Sequence, residues 1–291
     1  MTSGEQWAQA ELRELRARRF TPAAVVAFLA ASKRRADEVR RARPALARRA
    51  RRWELAGTVA WSGLALSGRE PFRRRAVSGL AWWGLVAMML EWHLGMIESE
   101  DGEPRNLGAA DALTLARAFL VPVIADDLST AALTAAAVSD ILDGVAARAS
   151  VPTRAGRDLE GLVDAAVLAA ALRCAHRTGR LSPAVIALEL VRIAAGFGYT
   201  VAVYFARTQA PSRTVAGAGR LTTPLRLAGL IAASRGSRRL ADTLLAAGSL
   251  TSILLLGYAL RATATMTARG RFTRLATALH LQPIGDEKPP G

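Results

Sequence analysis

Four acidic residues, Asp140, Asp143, Glu160 and Asp164, stand close together in a stretch flanked by apolar runs. Asp140, Asp143 and Gly144 fall at i, i+3 and i+4, so a helix puts them on one face. Glu160 and Asp164, at i and i+4, share a face of the next helix. A short basic link joins the two, with Gly156 ahead of the second pair. Two adjacent antiparallel helices would then aim four carboxylates into one space. An all-oxygen set of this kind suits hard cations, Mg²⁺ or Mn²⁺. Two such ions bridging phosphate oxygens would neutralise a diphosphate and favour in-line displacement at phosphorus. Gly144 leaves room for close approach of a ligand, and Arg148, Arg154 and Arg157 offer charge for phosphate. The plainer alternative is a set of helix-end charges facing water and paired with those arginines. The face-matching of all four carboxylates argues against it.

The elements that must position these residues are helices. The chain has 291 residues, 51% hydrophobic and 22% charged, with a net charge of +15. Its mean hydropathy of +0.19 is high for so charged a chain, so apolar and charged residues must be segregated. This pattern indicates a polytopic membrane protein with basic loops. The basic runs lack the interleaved aromatics that stack bases, so no nucleic acid is expected. The charge suits anionic membrane lipids and a phosphorylated substrate. The single cysteine, Cys174, permits no intrachain disulfide, and the three histidines have no ligand-like spacing.

Residues 1–52 carry fourteen Lys and Arg and read as a basic cytoplasmic or interfacial helical extension. A dense basic run follows the short apolar core at 22–31, which excludes a signal-peptide reading. Residues 53–105 read as one or two extra membrane helices and a polar linker. Six helices are then predicted at 109–126, 129–147, 156–175, 182–206, 222–234 and 240–262, within a catalytic domain of 106–265. "RTQAPSRTVAGAGR" (207–220) reads as a loop, and 266–291 as a basic, partly disordered tail. The fold class is therefore all-α, a six-helix transmembrane bundle behind a helical extension. The positive-inside rule places the extension, the 144–157 and 207–220 loops and the tail in the cytoplasm. It leaves "REPFRRR" (69–75) and "SRGSRR" (234–239) on the wrong side.

The acidic stretch resembles the signature of the CDP-alcohol phosphatidyltransferase family of integral membrane enzymes. That signature is D-x-x-D-G-x-x-A-R, a short gap, then G-x-x-x-D-x-x-x-D. The first part is complete in Asp140, Asp143, Gly144, Ala147 and Arg148; Gly156, Glu160 and Asp164 follow, with Glu160 where the family has Asp. "DALTLARAFLVP" (111–122) is similar to the family's first-helix pattern. "GRLSPAVIALELVR" (179–192) and "GRLTT" (219–223) resemble segments of the phosphatidylglycerophosphate synthase branch.

The resemblance implies that Asp140, Asp143, Glu160 and Asp164 bind two divalent cations, and that Asp164 is the general base. It implies a nucleotide site at Thr114, Gly144, Ala147 and Arg148. Arg117, Arg154, Arg157, Arg192 and Arg220 are weaker candidates for substrate phosphates. The implied reaction joins a CDP-linked lipid donor to a small alcohol phosphate and releases CMP. Glycerol 3-phosphate is the first acceptor considered and inositol phosphate the second. A homodimer in the cell's inner membrane, with its active site facing the cytoplasm, is the implied setting. Two alternatives stay open: a degenerate member that binds without turnover, and a transporter. The latter leaves the G-x-x-A-R element unexplained.

Overall fold

Local chemistry sets the first helix boundaries. Thr21 accepts the Ala24 N–H on its hydroxyl at 3.4 Å, and Pro22 takes the first helical position, where its missing N–H costs nothing. The computed structural model describes residues 3–96, 103–149, 154–202 and 213–278. Among them the chain is all-helical. The extension holds α1 (Ser3–Ala17), α2 (Pro22–Ala42), α3 (Pro44–Leu66) and α4 (Ala76–His93). Then come α5 (Ala109–Asp127), α6 (Thr130–Ala149), α7 (Arg154–Arg177), α8 (Pro183–Ala202), α9 (Arg213–Ser234) and α10 (Arg238–Ala278).

The six predicted helices of the catalytic segment are present. One expectation is corrected. Residues 213–220, part of the segment read as loop, open α9, because the isolated glycines Gly217 and Gly219 are the chief helix-weakening residues there and a helix tolerates them. α10 runs unbroken to Ala278, into the segment read as the tail. Residues 203–212 and 279–291 lie outside the described residues. By length and composition, one described segment, Arg238–Tyr258, is apolar enough to cross a bilayer. Helices such as α5 and α7 carry charges along their length.

α5 is the centre of the fold: α6 and α7 both pack on it, while α9 and α10 form a second pair that holds α8. Burial of Ile124, Leu128, Leu133, Ala171 and Leu245 joins these helices in one core. The extension is part of the same body. α3 and α4 interlock through a reciprocal contact. A Cβ on Gly57 would stand 2.0 Å from the Trp83 ring, and one on Gly79 would stand 1.9 Å from the Trp61 ring. Each helix thus offers a glycine for the other's tryptophan, four residues along from its own. Trp61 then meets Phe72 and Phe119 edge-on at 5.0 and 5.1 Å, which docks α3 against α5.

α4 also repairs a defect in α5. Pro122 has no N–H, so the Ala118 carbonyl loses its intrahelical partner. The Trp82 indole N–H donates to that carbonyl at 2.8 Å. At the two ends of α5, Arg49 donates to the Leu107 carbonyl at 2.6 Å, and Arg74 and Arg75 pair with Asp126 at 2.7 and 2.8 Å. The arginines of "REPFRRR" that defied the charge rule therefore have a local task, closing the far end of α5.

Candidate active site

The acidic cluster lies toward the start of α5, the end of α6 and the start of α7. Asp140 and Asp143 come from α6, Glu160 and Asp164 from α7, as their spacing required. What joins them is Arg117 of α5. Its side chain is 2% exposed, and its Nη1 pairs with Asp140 at 3.1 Å and with Asp164, while Nη2 pairs with Asp143 at 3.0 Å. Nε donates to the Ser139 hydroxyl at 3.3 Å. Thr114, one turn before Arg117, donates its hydroxyl to the same Asp143 oxygen at 2.6 Å. Thr114 and Arg117 share a face of α5 because they are three residues apart.

The four carboxylates are not equivalent. Asp143 is buried and turned toward Thr114 and Arg117. Asp140, Glu160 and Asp164 place donor oxygens within 4.8 Å of one another at the accessible side. That spacing fits a shared hard cation, whose oxygen ligands sit at about 2.0–2.6 Å. Glu160 belongs to this group with its longer side chain. Among the described side chains, and counted as ionised, these four carboxylates and Arg117 leave a formal charge of −3, a balance that favours cationic groups or ions at this place.

A family model described as CDP-alcohol phosphatidyltransferase matches residues 107–254, just over half of the chain. The chain belongs to that family. No curated protein and no solved structure matches it. The match contains the acidic cluster, Arg117, α9 and the first part of α10, and leaves the extension outside. Members of the CDP-alcohol phosphatidyltransferase family are membrane-associated and transfer phosphatidyl groups in phospholipid synthesis.

A second buried polar network sits deeper in the domain. Glu189 of α8 is fully buried. Arg226 of α9 holds both its oxygens, at 2.8 and 3.2 Å, Arg192 pairs with it at 3.0 Å, and Ser249 of α10 donates to it at 2.6 Å. Two guanidinium groups on one carboxylate leave a positive surplus. The i, i+3 spacing of Glu189 and Arg192 is compatible with either a pair or an Arg192 turned to a substrate, and the structure pairs them; Arg226 and Ser249 carry no such signal. Neither does Ser139, whose place beside Arg117 is fixed by tertiary packing. Gly144 follows Asp143 on α6. The side chains of Ala147, Arg148, Arg154, Arg157 and Arg220 lie outside the described residues.

Proposed function

We propose that the protein is an active, metal-dependent phosphatidyltransferase that joins a CDP-diacylglycerol-type donor to a small alcohol phosphate. The observation that carries this reading is the convergence of Asp140, Glu160 and Asp164 within a family-matched bundle. Asp140, Glu160 and Asp164, backed by Asp143, would hold a pair of divalent cations, Mg²⁺ or Mn²⁺, which when bound neutralise the donor's diphosphate. Asp164 is part-exposed and takes the proton from the acceptor hydroxyl. That oxygen forms a bond to the phosphorus nearest the lipid, the bond to CMP breaks, and CMP leaves with the electron pair. Thr114 and Arg117 orient Asp143 and keep the cluster assembled before substrate arrives. Thr114, Gly144, Ala147 and Arg148 fit the nucleotide end by their place in the motif.

The surplus positive charge of Arg192 and Arg226 supports a phosphorylated acceptor. Glycerol 3-phosphate is the first candidate, from the resemblance at 179–192 and 219–223. Residues Arg154, Arg157 and Arg220 are held as further phosphate contacts, and Arg117 acts on the carboxylates instead. The exposed apolar side chains of α8 and α10, among them Phe197, Leu254 and Tyr258, support helices facing lipid or a second copy in the inner membrane. The reading is tested by CMP release from purified full-length protein and from Asp164→Asn. Metal-dependent release that collapses in the variant supports it; undiminished release in Asp164→Asn overturns the assigned base.

A further inference from the structure

Between the extension and the catalytic helices runs an apolar cleft of about 530 Å³. That volume lies within the roughly 300–1,000 Å³ typical of small-molecule sites. One wall is α3, with Trp53, Gly57 and Ala60; another is α5, with Leu115 and Phe119. Trp83 and the alanines of α3, α5 and α6 complete a lining with scarcely a polar atom. The alanines Ala56, Ala60, Ala112, Ala116 and Ala135 are exposed, so the cleft is open along one side and nothing bulky fills it. Its shape follows from the interlock of α3 and α4: Trp83 lies flat on Gly57, and the small residues beside it keep the floor low.

One polar residue of this lining is informative. Ser139 lines the cleft and accepts the Arg117 Nε–H at 3.3 Å. Arg117 in turn holds Asp140, Asp143 and Asp164. The cleft is therefore linked to the carboxylates through Ser139 and Arg117, while the rest of its lining is largely apolar. A ligand matching both parts has a phosphate head at the cluster and a hydrocarbon tail in the cleft. A water-soluble nucleotide or sugar would gain nothing from that tail end.

We infer that the cleft seats one acyl chain of the lipid donor, and that the extension, outside the family-matched residues, supplies half of this seat. The inference rests on the proposed phosphatidyl transfer and adds a role for residues 53–83. The extension then acts as a selector of donor chain length as well as a brace. Small side chains on α3 set how much chain the protein accepts.

The test fills the cleft from the extension side with Ala60→Phe, and separately with Ala56→Phe. Both positions are exposed, so the fold tolerates the added rings. CMP release is measured with dioleoyl and with dihexanoyl CDP-diacylglycerol. The expected result is a drop in kcat/KM of about tenfold for the long-chain donor, the effect of withdrawing roughly two methylenes from apolar surface. The short-chain donor should change less than about twofold, within the scatter expected of a distant site. Equal losses with both donors, or no loss with either, overturn the inference. A second arm needs no turnover. CDP-diacylglycerol with brominated acyl chains should quench Trp53 and Trp83 fluorescence beyond the quenching by brominated phosphatidylcholine. That excess should vanish in Ala60→Phe. The same excess in wild type and variant overturns the acyl seat, whereas absence of CMP release from wild type with any donor overturns the reaction and leaves the quenching arm to decide the seat.

Discussion

Replacing Arg117 by Met separates two roles that one guanidinium combines. Among the described side chains, Arg117 is the cation paired with the acidic cluster. Its pair with Asp143 is buried on both sides, at 2% and 5% exposure. Breaking such a pair leaves an uncompensated buried charge, at about 3–5 kcal/mol. The pairs with Asp140 and Asp164 are screened, those carboxylates being 34% and 46% exposed, and add at most about 1 kcal/mol each. A total near 4 kcal/mol corresponds to a fall in Tm of roughly 10 °C for a domain of this size. That fall applies in EDTA. In Mn²⁺ the outcome changes, because the oxygens freed from Arg117 become available to the ion. Removing a unit positive charge about 4 Å away relieves several kcal/mol of repulsion at an effective dielectric near 20. The variant should therefore bind Mn²⁺ at least tenfold more tightly, ~1.4 kcal/mol, and recover much of its lost Tm. Thermal melts of detergent-purified protein across a Mn²⁺ series measure both quantities. Unchanged or weaker Mn²⁺ affinity, or an unaltered Tm in EDTA, would refute the competition between Arg117 and metal.

Further expectations are independent of that one. Glu160→Asp should lower CMP release at least tenfold, ~1.4 kcal/mol of transition-state stabilisation, because removing a methylene withdraws this carboxylate from the oxygens of Asp140 and Asp164 that it now adjoins; a rise would indicate a degenerate site. Trp82→Phe should cost about 1–3 kcal/mol of stability by stranding the Ala118 carbonyl opposite Pro122, read from urea unfolding, with no change if water replaces the indole. Gly79→Ala should cost about 1–3 kcal/mol through overpacking against Trp61, and a neutral result would show that the α3–α4 interlock is loose. Arg226→Met should raise the KM for a phosphorylated acceptor more than it lowers kcat, and equal effects on both would assign Arg226 a purely structural part.

The helices were legible because their signals are local. Apolar runs of helical length, the Thr21–Pro22 start and the glycine and proline breaks need no tertiary information. The acidic pairs were legible for the same reason, since i, i+3 and i, i+4 spacing fixes a shared face. The assembly around Arg117 was not. It sits 22 to 47 positions from its partners, and no periodicity reports which helix packs between two others. The sequence reading expected α6 and α7 to meet directly; α5 packs on both and delivers the guanidinium to the carboxylates. The Glu189–Arg226 pair was hidden by the same distance. One signal was present and passed over: "GTVAW" (57–61) and "GLAWW" (79–83) repeat a glycine four residues before a tryptophan. That pattern is what two interlocking helices need. Likewise Pro122 inside an otherwise continuous helix announces a stranded carbonyl, though not the tryptophan that answers it. The 213–220 segment misled because Gly217 and Gly219, following Pro211 and Ser212, imitate a loop, although isolated glycines do not by themselves end a helix.

The central claim is that this bundle transfers a phosphatidyl group to an alcohol phosphate with metal held on Asp140, Glu160 and Asp164. The most direct test incubates the full-length protein with CDP-diacylglycerol, Mn²⁺ and radiolabelled glycerol 3-phosphate, and follows label into the lipid phase. The account predicts label in lipid, matched by released CMP, abolished by EDTA and by Asp164→Asn. Label confined to the aqueous phase, with inositol phosphate equally inert and Mn²⁺ bound, would contradict it.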